Sequence, residues 1–204
     1  MEINETERWV YVYDKNYPTE YEFTNVRYIL GEKFDKAKQK ALVCIGINPS
    51  TAVPEDLDAT LKRVKNHAIQ NGYGAWYMLN VYPQRATNPD NMDKECNEDI
   101  HAKNVENIEK LFEKLPSADI WCAWGSNINK RTYLKYCLKQ IAEKIQSFEN
   151  KDFKYFKKEI SDTTRNTEPE HPLHPIASIK TKGLQVFDLK KYLETIFNNM
   201  NEQI

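Results

Sequence analysis

The stretch Ala41-Leu-Val-Cys-Ile-Gly-Ile-Asn-Pro-Ser50 decides the fold. An unbroken apolar run through Ile47 suits a strand covered on both faces. Pro49 removes a ladder donor, so the strand stops there and a loop begins. Two further runs read the same way: Ala75-Trp-Tyr-Met-Leu-Asn-Val81 and Ala118-Asp-Ile-Trp-Cys-Ala-Trp124. The segments between them carry helical spacing. Leu61, Val64, Ala68 and Ile69 form one stripe reaching about Asn71, with Asp58 or Thr60 able to cap its start. Ile100, Val105, Ile108, Leu111 and Phe112 form another over residues 97–115. Residues 130–147 read as a third helix and 153–160 as a shorter, more polar strand. Residues 188–200 read as a closing helix capped by Asp188. Upstream, residues 10–13 and 27–30 suit short strands of an antiparallel addition.

Strands alternating with helices imply an α/β fold. The expectation is a three-layer α/β/α domain around a mostly parallel sheet, with residues 1–26 as an N-terminal addition. The 204 residues suit one such domain and are short for two. In parallel sheets ligands sit beyond the carboxyl ends of the strands. That rule selects residues 46–50, 80–87, 124–125 and 171–175 as one functional edge.

The charge balance narrows the partners. A formal net charge of -1 argues against a general nucleic-acid coat, so any such contact must use a local basic patch. Residues 130–158 contain such a run: Lys130, Arg131, Lys135, Lys139, Lys144, Lys151, Lys154, Lys157 and Lys158. A solvated helix face is the plainer reading of it. No apolar run approaches the roughly 18 residues that span a bilayer. The acidic start, Met1-Glu-Ile-Asn-Glu, lacks the basic and apolar pattern of a secretory leader. Cys44, Cys96, Cys122 and Cys137 form no C-x-x-C pair and suit reduced thiols of a cytoplasmic protein. No phosphate loop and no G-x-G-x-x-G turn occurs, so no nucleotide cofactor is implied.

Within the selected edge, Asn48 can orient a water but cannot deprotonate one, because an amide is not a base near neutrality. Its alternative is to satisfy the backbone of its own turn. Asn80 can tie the second loop to the first. Arg85 offers a fork of donors for phosphate or carboxylate, or a surface ion pair. Tyr82 and Trp124 could stack on a planar ring, although aromatics at strand ends more often belong to the core. His171 and His174 lie between prolines that fix the backbone. Either can donate to an oxygen gaining charge or act as an acid. A metal site would want more His or Cys nearby. His67 and His101 fall on the outer faces of predicted helices.

Taken in order, Arg27-Tyr-Ile-Leu-Gly31, Ile47-Asn-Pro-Ser-Thr-Ala52, Asp58-Ala-Thr60, Gly72-Tyr-Gly74, residues 80–87, Ala123-Trp-Gly125 and residues 171–175 resemble the domain of unknown function 1643 family (DUF1643). The resemblance covers residues 27–176, with Ala59 where that pattern has proline. Gly46-Ile-Asn-Pro-Ser50, Asn80-Val-Tyr-Pro-Gln-Arg85, Gly125 and His174-Pro175 are more distantly similar to the strand-end motifs of the uracil-DNA glycosylase superfamily. That similarity implies a glycosylase-like hydrolase acting on a nucleobase–sugar bond. It makes Asn48 the residue that orients water, His174 the stabiliser of the departing base, and Tyr28 or Tyr82 a stacking platform. Gly46, Ser50, Thr87, Trp124, Gly125 and His171 would complete the substrate site, and Asp58 would supply a carboxylate base if its loop folds over. Ile176 stands where that superfamily has a phosphate-gripping serine. A free nucleotide, a nucleoside or single-stranded nucleic acid therefore fits better than duplex DNA. The alternatives are a non-catalytic nucleotide or nucleic-acid binding module and an enzyme of another class acting on a small anionic metabolite.

Overall fold

A computed structural model describes residues 3–14, 25–115, 117–148, 151–156, 168–174 and 183–201. Its elements run β1 (Asn4–Glu5), β2 (Trp9–Asp14), β3 (Val26–Lys33), β4 (Ala41–Gly46), α1 (Ala59–Gln70), β5 (Ala75–Asn80), α2 (Glu98–Lys114), β6 (Ala118–Cys122), α3 (Thr132–Gln146), β7 (Asp152–Tyr155), β8 (Gln185–Val186) and α4 (Leu189–Asn201). Short 3₁₀ turns follow β5 at Pro89–Asn91 and β6 at Gly125–Asn129. Among the described residues the strands form one sheet in the order β1-β2-β3-β5-β4-β6-β7-β8.

The protein is thus α/β, but the sheet is mixed, and the expectation of a mostly parallel one is corrected. Strands β5, β4, β6 and β7 pair in parallel. The other four pairings, β1·β2, β2·β3, β3·β5 and β7·β8, are antiparallel. Hairpin-connected strands upstream need no crossover helix, and they add directly to the open edge of β5.

Alternation along the strands sends side chains to two cores. Val43, Ile45, Tyr77, Leu79, Ile120 and Cys122 face one cluster, which α2, α3 and α4 cover through Ile108, Leu111, Leu138, Ile141 and Tyr192. Leu42, Cys44, Trp76, Met78 and Trp121 face the other, which Leu61, Val64 and Ala68 of α1 cover. The helix starts follow capping chemistry. Asp58 Oδ1 accepts from Leu61 N at 2.9 Å, and Asn97 Oδ1 accepts from Asp99 N and Ile100 N. Glu98 and Asp99 add acidic charge at the positive end of α2. Among the described residues no helix is long and apolar enough to cross a membrane.

A bulge in β3 sets which way Arg27 points. Pairing steps from Val12↔Ile29 to Tyr13↔Arg27, so one residue on β2 spans two on β3, with Tyr28 as the extra. Trp9 and Tyr11 belong with the α1-side core, and by alternation so does the face of Tyr13. Its partner Arg27 therefore stands on the α1 side of the sheet. Without the bulge it would share the opposite face with Ile29.

Two buried carboxylates brace the sheet. Glu32 meets Arg8 at 2.7 Å, Lys65 at 2.9 Å and the indole of Trp76 at 3.2 Å. Asp119 meets Lys154 at 2.8 Å, Lys40 at 2.9 Å and the Tyr73 hydroxyl at 2.6 Å. Burial works to raise both acids, and the donors overcome it, holding both below the ordinary carboxylate range. A depressed folded pKa contributes stability above the unfolded value near 4 that is lost as pH falls through the folded value. Denaturant midpoints measured from about pH 5 to 3 should therefore fall in the wild type, and less steeply in Glu32→Gln and Asp119→Asn. An acid limb of unchanged slope in both variants would contradict this role.

Candidate functional site

The site begins where β4 and β5 end, because their pairing continues beyond the strands. Val81 N donates to Gly46 O and Tyr82 N to Ile47 O, each at 2.9 Å. Ala86 N donates to Pro49 O at 2.9 Å, and Asn48 Nδ2 returns to Ala86 O at 2.8 Å and Pro49 O at 3.1 Å. Arg85 binds the carbonyls of Ser50 and Thr51 through Nε and Nη2. The two loops therefore run side by side as one wall.

That wall, the start of α1, and the segment around His171 enclose a cavity of about 430 Å³. Gly46 and Met78 lie at its floor, Asn48, Ser50, Ala86 and Thr87 on the loop wall, and Asp58, Ala59 and Thr60 at the helix start. Arg27, Asn127, His171 and Leu173 complete the rim and sides. Gly46 sits tightly beneath the methionine, since a Cβ there would come within 2.5 Å of Met78 Cε and displace that flexible side chain, and would stand 3.4 Å from Asn80 Oδ1. Gly125 takes φ +64°, a left-handed turn that favours glycine, and its N–H donates to Pro169 O at 2.8 Å. This contact docks the His171 segment against the end of β6.

Three charged or titratable groups share the cavity. Asp58 spends Oδ1 on the α1 cap and retains Oδ2. Burial lowers the His171 imidazole below its ordinary value, and the nearby charge of Asp58 opposes that shift. Nδ1 of His171 accepts from Leu173 N at 3.2 Å. In the neutral ring that bond assigns the proton to Nε2, which is left as a donor. Burial also lowers Arg27, to about 10, so it remains charged at neutral pH.

Of the residues anticipated from sequence, Gly46, Asn48, Ser50, Asp58, Thr87 and His171 line this cavity. Others do not. Tyr28, Tyr82 and Trp124 are fully buried in the main core, not stacking platforms at its rim. Tyr82 OH donates to Asp93 Oδ2, and the Trp124 indole donates to Tyr192 OH. Arg85 is committed to loop carbonyls, so it shapes the wall. Asn80 is buried beside Gly46, and both atoms of its side-chain amide lack a hydrogen-bond partner. His174, favoured by the motif pattern, is not on the lining; its Nε2 lies 3.8 Å from Glu170 Oε2. Pro175 lies outside the described residues. His101 is buried, not on the surface, with Nε2 2.6 Å from Gln140 Oε1, while His67 packs on Trp121 and Phe156.

Arg27 is a cavity-lining residue that sequence reading did not single out, since a strand arginine reads as exposed unless the bulge is known. The lysine-rich run is largely answered by local partners. Lys130 pairs with Asp90, Lys144 with Glu109 and Lys154 with Asp119, while Lys151 donates to Leu115 O. Lys157 and Lys158 lie outside the described residues.

The fold and cavity define an α/β protein with its candidate site at the carboxyl ends of the parallel strands. Residues 27–173 match the family described as protein of unknown function (DUF1643), and the chain belongs to that family. Neither a curated protein nor a solved structure matches it.

The His171 geometry has a direct spectroscopic consequence. Its NMR titration midpoint should lie below the ordinary histidine value of about 6.5. Asp58→Asn should lower it further, because a neighbouring negative charge that favours the imidazolium is gone. A midpoint that rises in Asp58→Asn would show that the two groups do not share the cavity.

Proposed function

We propose that the cavity binds a nucleotide-like ligand and hydrolyses the bond between its sugar and its base. The observation that carries this is convergence. Asn48, Asp58 and His171 come from three separate stretches of chain and line the same cavity. Its volume, about 430 Å³, falls in the range of small-molecule sites, roughly 300–1,000 Å³.

In this reading Asp58 Oδ2 takes the proton of a water held between it and Asn48. The amide Nδ2 of Asn48 is tied to the loop carbonyls, which leaves Oδ1 to orient that water. The water oxygen bonds to the sugar carbon as the carbon–nitrogen bond breaks, and that electron pair leaves with the base. Nε2–H of neutral His171 donates to the base as it becomes an anion. A neutral donor suits this role because it stabilises the charge without first losing a proton to the site. His171 thus takes the role that resemblance gave to His174. General-base assistance of this kind contributes about 10²–10⁴-fold.

The proposal extends to the fold. A uracil-DNA-glycosylase-like three-layer core is supported by the parallel β5-β4-β6-β7 run with α1 on one face and α2, α3 and α4 on the other. The antiparallel strands are then additions to its edges. The four free cysteines suit a reducing, cytoplasmic setting.

A second reading, binding without cleavage, is favoured by one observation. No Phe, Tyr or Trp ring lines the cavity among the described residues, so an extruded base would be held mainly by Ile47, Met78 and Leu173 instead of by stacking on a large ring. Together with the answered lysines, this favours a free nucleotide over a polymer.

Base release from a panel of nucleotides, nucleosides and single- and double-stranded oligonucleotides tests the proposal. Release from a free nucleotide is expected, falling by roughly 10²-fold or more in Asp58→Asn and His171→Ala and clearly in Asn48→Ala. His174→Ala should stay within a few-fold of wild type. No release from any substrate, with binding still lost in the first three variants, would select the second reading.

A further inference from the structure

We propose that the cavity contains an anion subsite, built from Arg27 and the first turn of α1, that takes the phosphate of a phosphorylated small molecule. It rests on the proposed function only in sharing the cavity, and it names the substrate class: a phosphate ester, not a neutral nucleoside.

Arg27 is the first observation. Its side chain is among the most deeply buried in the protein, with 2% of its surface exposed, yet it lines the cavity. Nη1 donates to Ala52 O at 2.9 Å, while Nε is buried with no hydrogen-bond partner. Among the described residues no carboxylate lies within ion-pair distance of it. Among the described residues the negative charge that favours the guanidinium is the longer-range one of Asp58, and a buried charge without a contact ion pair is an arrangement that folded chains avoid, because desolvation is poorly repaid. Here the β3 bulge turns the arginine toward the α1 side, away from the face that Ile29 occupies. Bulges commonly re-aim side chains next to functional sites.

The helix supplies the second observation. Asp58, Ala59, Thr60 and Leu61 all line the cavity, so α1 presents its N-terminus there. Leu61 N is taken by Asp58 Oδ1 and Lys62 N by Asp58 O. Helix geometry leaves the N–H groups of Ala59 and Thr60 without intrahelical partners. Beyond the N-cap Asp58, no acidic residue occupies the first turn. Helix N-termini of this kind bind phosphate and related anions. Ser50, Thr60 and Thr87, each with a hydroxyl, line the same space.

Asp58 is the one carboxylate on the described lining, and it opposes an anion. One of its oxygens is already neutralised in part by the Leu61 amide. The guanidinium and the helix end outweigh what remains. Arg85, the more obvious phosphate ligand from sequence, is not on the lining, and its Nε and Nη2 donate to Ser50 O and Thr51 O.

The test is calorimetric titration of the full chain with inorganic phosphate, at low ionic strength, for wild type, Arg27→Met and Ala59→Pro. Methionine keeps much of the length without the charge. Proline at the first helical position removes one amide donor and is well tolerated there. Asp58, at φ -72° and ψ 176°, already has the backbone that precedes proline. Wild type should bind phosphate, with affinity at least tenfold weaker in Arg27→Met and several-fold weaker in Ala59→Pro. The melting temperature of Arg27→Met without phosphate should equal or exceed wild type, since an unpaired buried charge is gone. No phosphate binding by wild type, or unchanged affinity in either folded variant, overturns the subsite. If Arg27→Met fails to fold, that result also counts against it, and the affinity of Ala59→Pro then decides. Base release separates the two proposals. Phosphate binding with these variant effects but no release leaves the subsite standing and removes hydrolysis. Equal release from nucleosides and nucleotides without phosphate binding does the reverse.

Discussion

The parallel pairing of β4 with β5 does not end with the strands, and the rest of the site depends on that continuation. Gly46, Ile47 and Pro49 offer their carbonyls to Val81, Tyr82 and Ala86, and Asn48 closes the gap with its side chain. Backbone groups beyond a sheet edge must find partners or meet water. Here they find each other, so two loops that would move independently become one wall. Arg85 adds two more bonds to the same wall from within. The far side is set by Asp58, which caps α1 and so places the helix start opposite. Cavity shape is therefore a product of strand register and a single cap.

Electrostatics inside that shape run against stability. Among the described residues Arg27 has no carboxylate in ion-pair contact, Asn80 is buried with an unpaired amide, and burial shifts His171 toward its neutral form. Elsewhere the protein handles buried charge conventionally: Glu32 has two cations and an indole, and Asp119 has two lysines and a tyrosine. The contrast is informative because both arrangements occur in one sheet. Arg27 lines the cavity and Asn80 lies beside its floor, while other buried atoms without partners occur away from it, at His101, Asn104 and Asn107 of α2. Sites that violate local rules in this way are where function is expected to reside.

Much of this was legible in the chain. The three continuous apolar runs fell on β4, β5 and β6, Asp58, one of two candidates, proved to cap α1, and Asp188 Oδ1 accepts from Lys191 N at the start of α4. The strand-end rule found Gly46, Asn48, Ser50 and Thr87 because it depends only on where parallel strands stop. What failed depended on long-range geometry. The antiparallel partner of β5 arrives from upstream, and nothing in the local pattern of β3 names its neighbour. Tyr28, Tyr82 and Trp124 look like ring platforms in sequence but turn inward, as bulky apolar groups usually do. Arg27 was invisible as a site residue because one extra residue in β3 reverses its face. His171 and His174 differ by only three positions. The docking of Pro169 O on Gly125, not a motif, decides which of them reaches the cavity.

If this cavity is where the protein meets its ligand, amide chemical-shift mapping with a nucleoside monophosphate shows it most directly. The largest shifts are expected at Asn48, Ala59, Thr60 and the side-chain Nε–H of Arg27, with little change along α3. Shifts confined to α3 or to the hollow between Lys33 and Lys114, at the opposite ends of the strands, would contradict that placement.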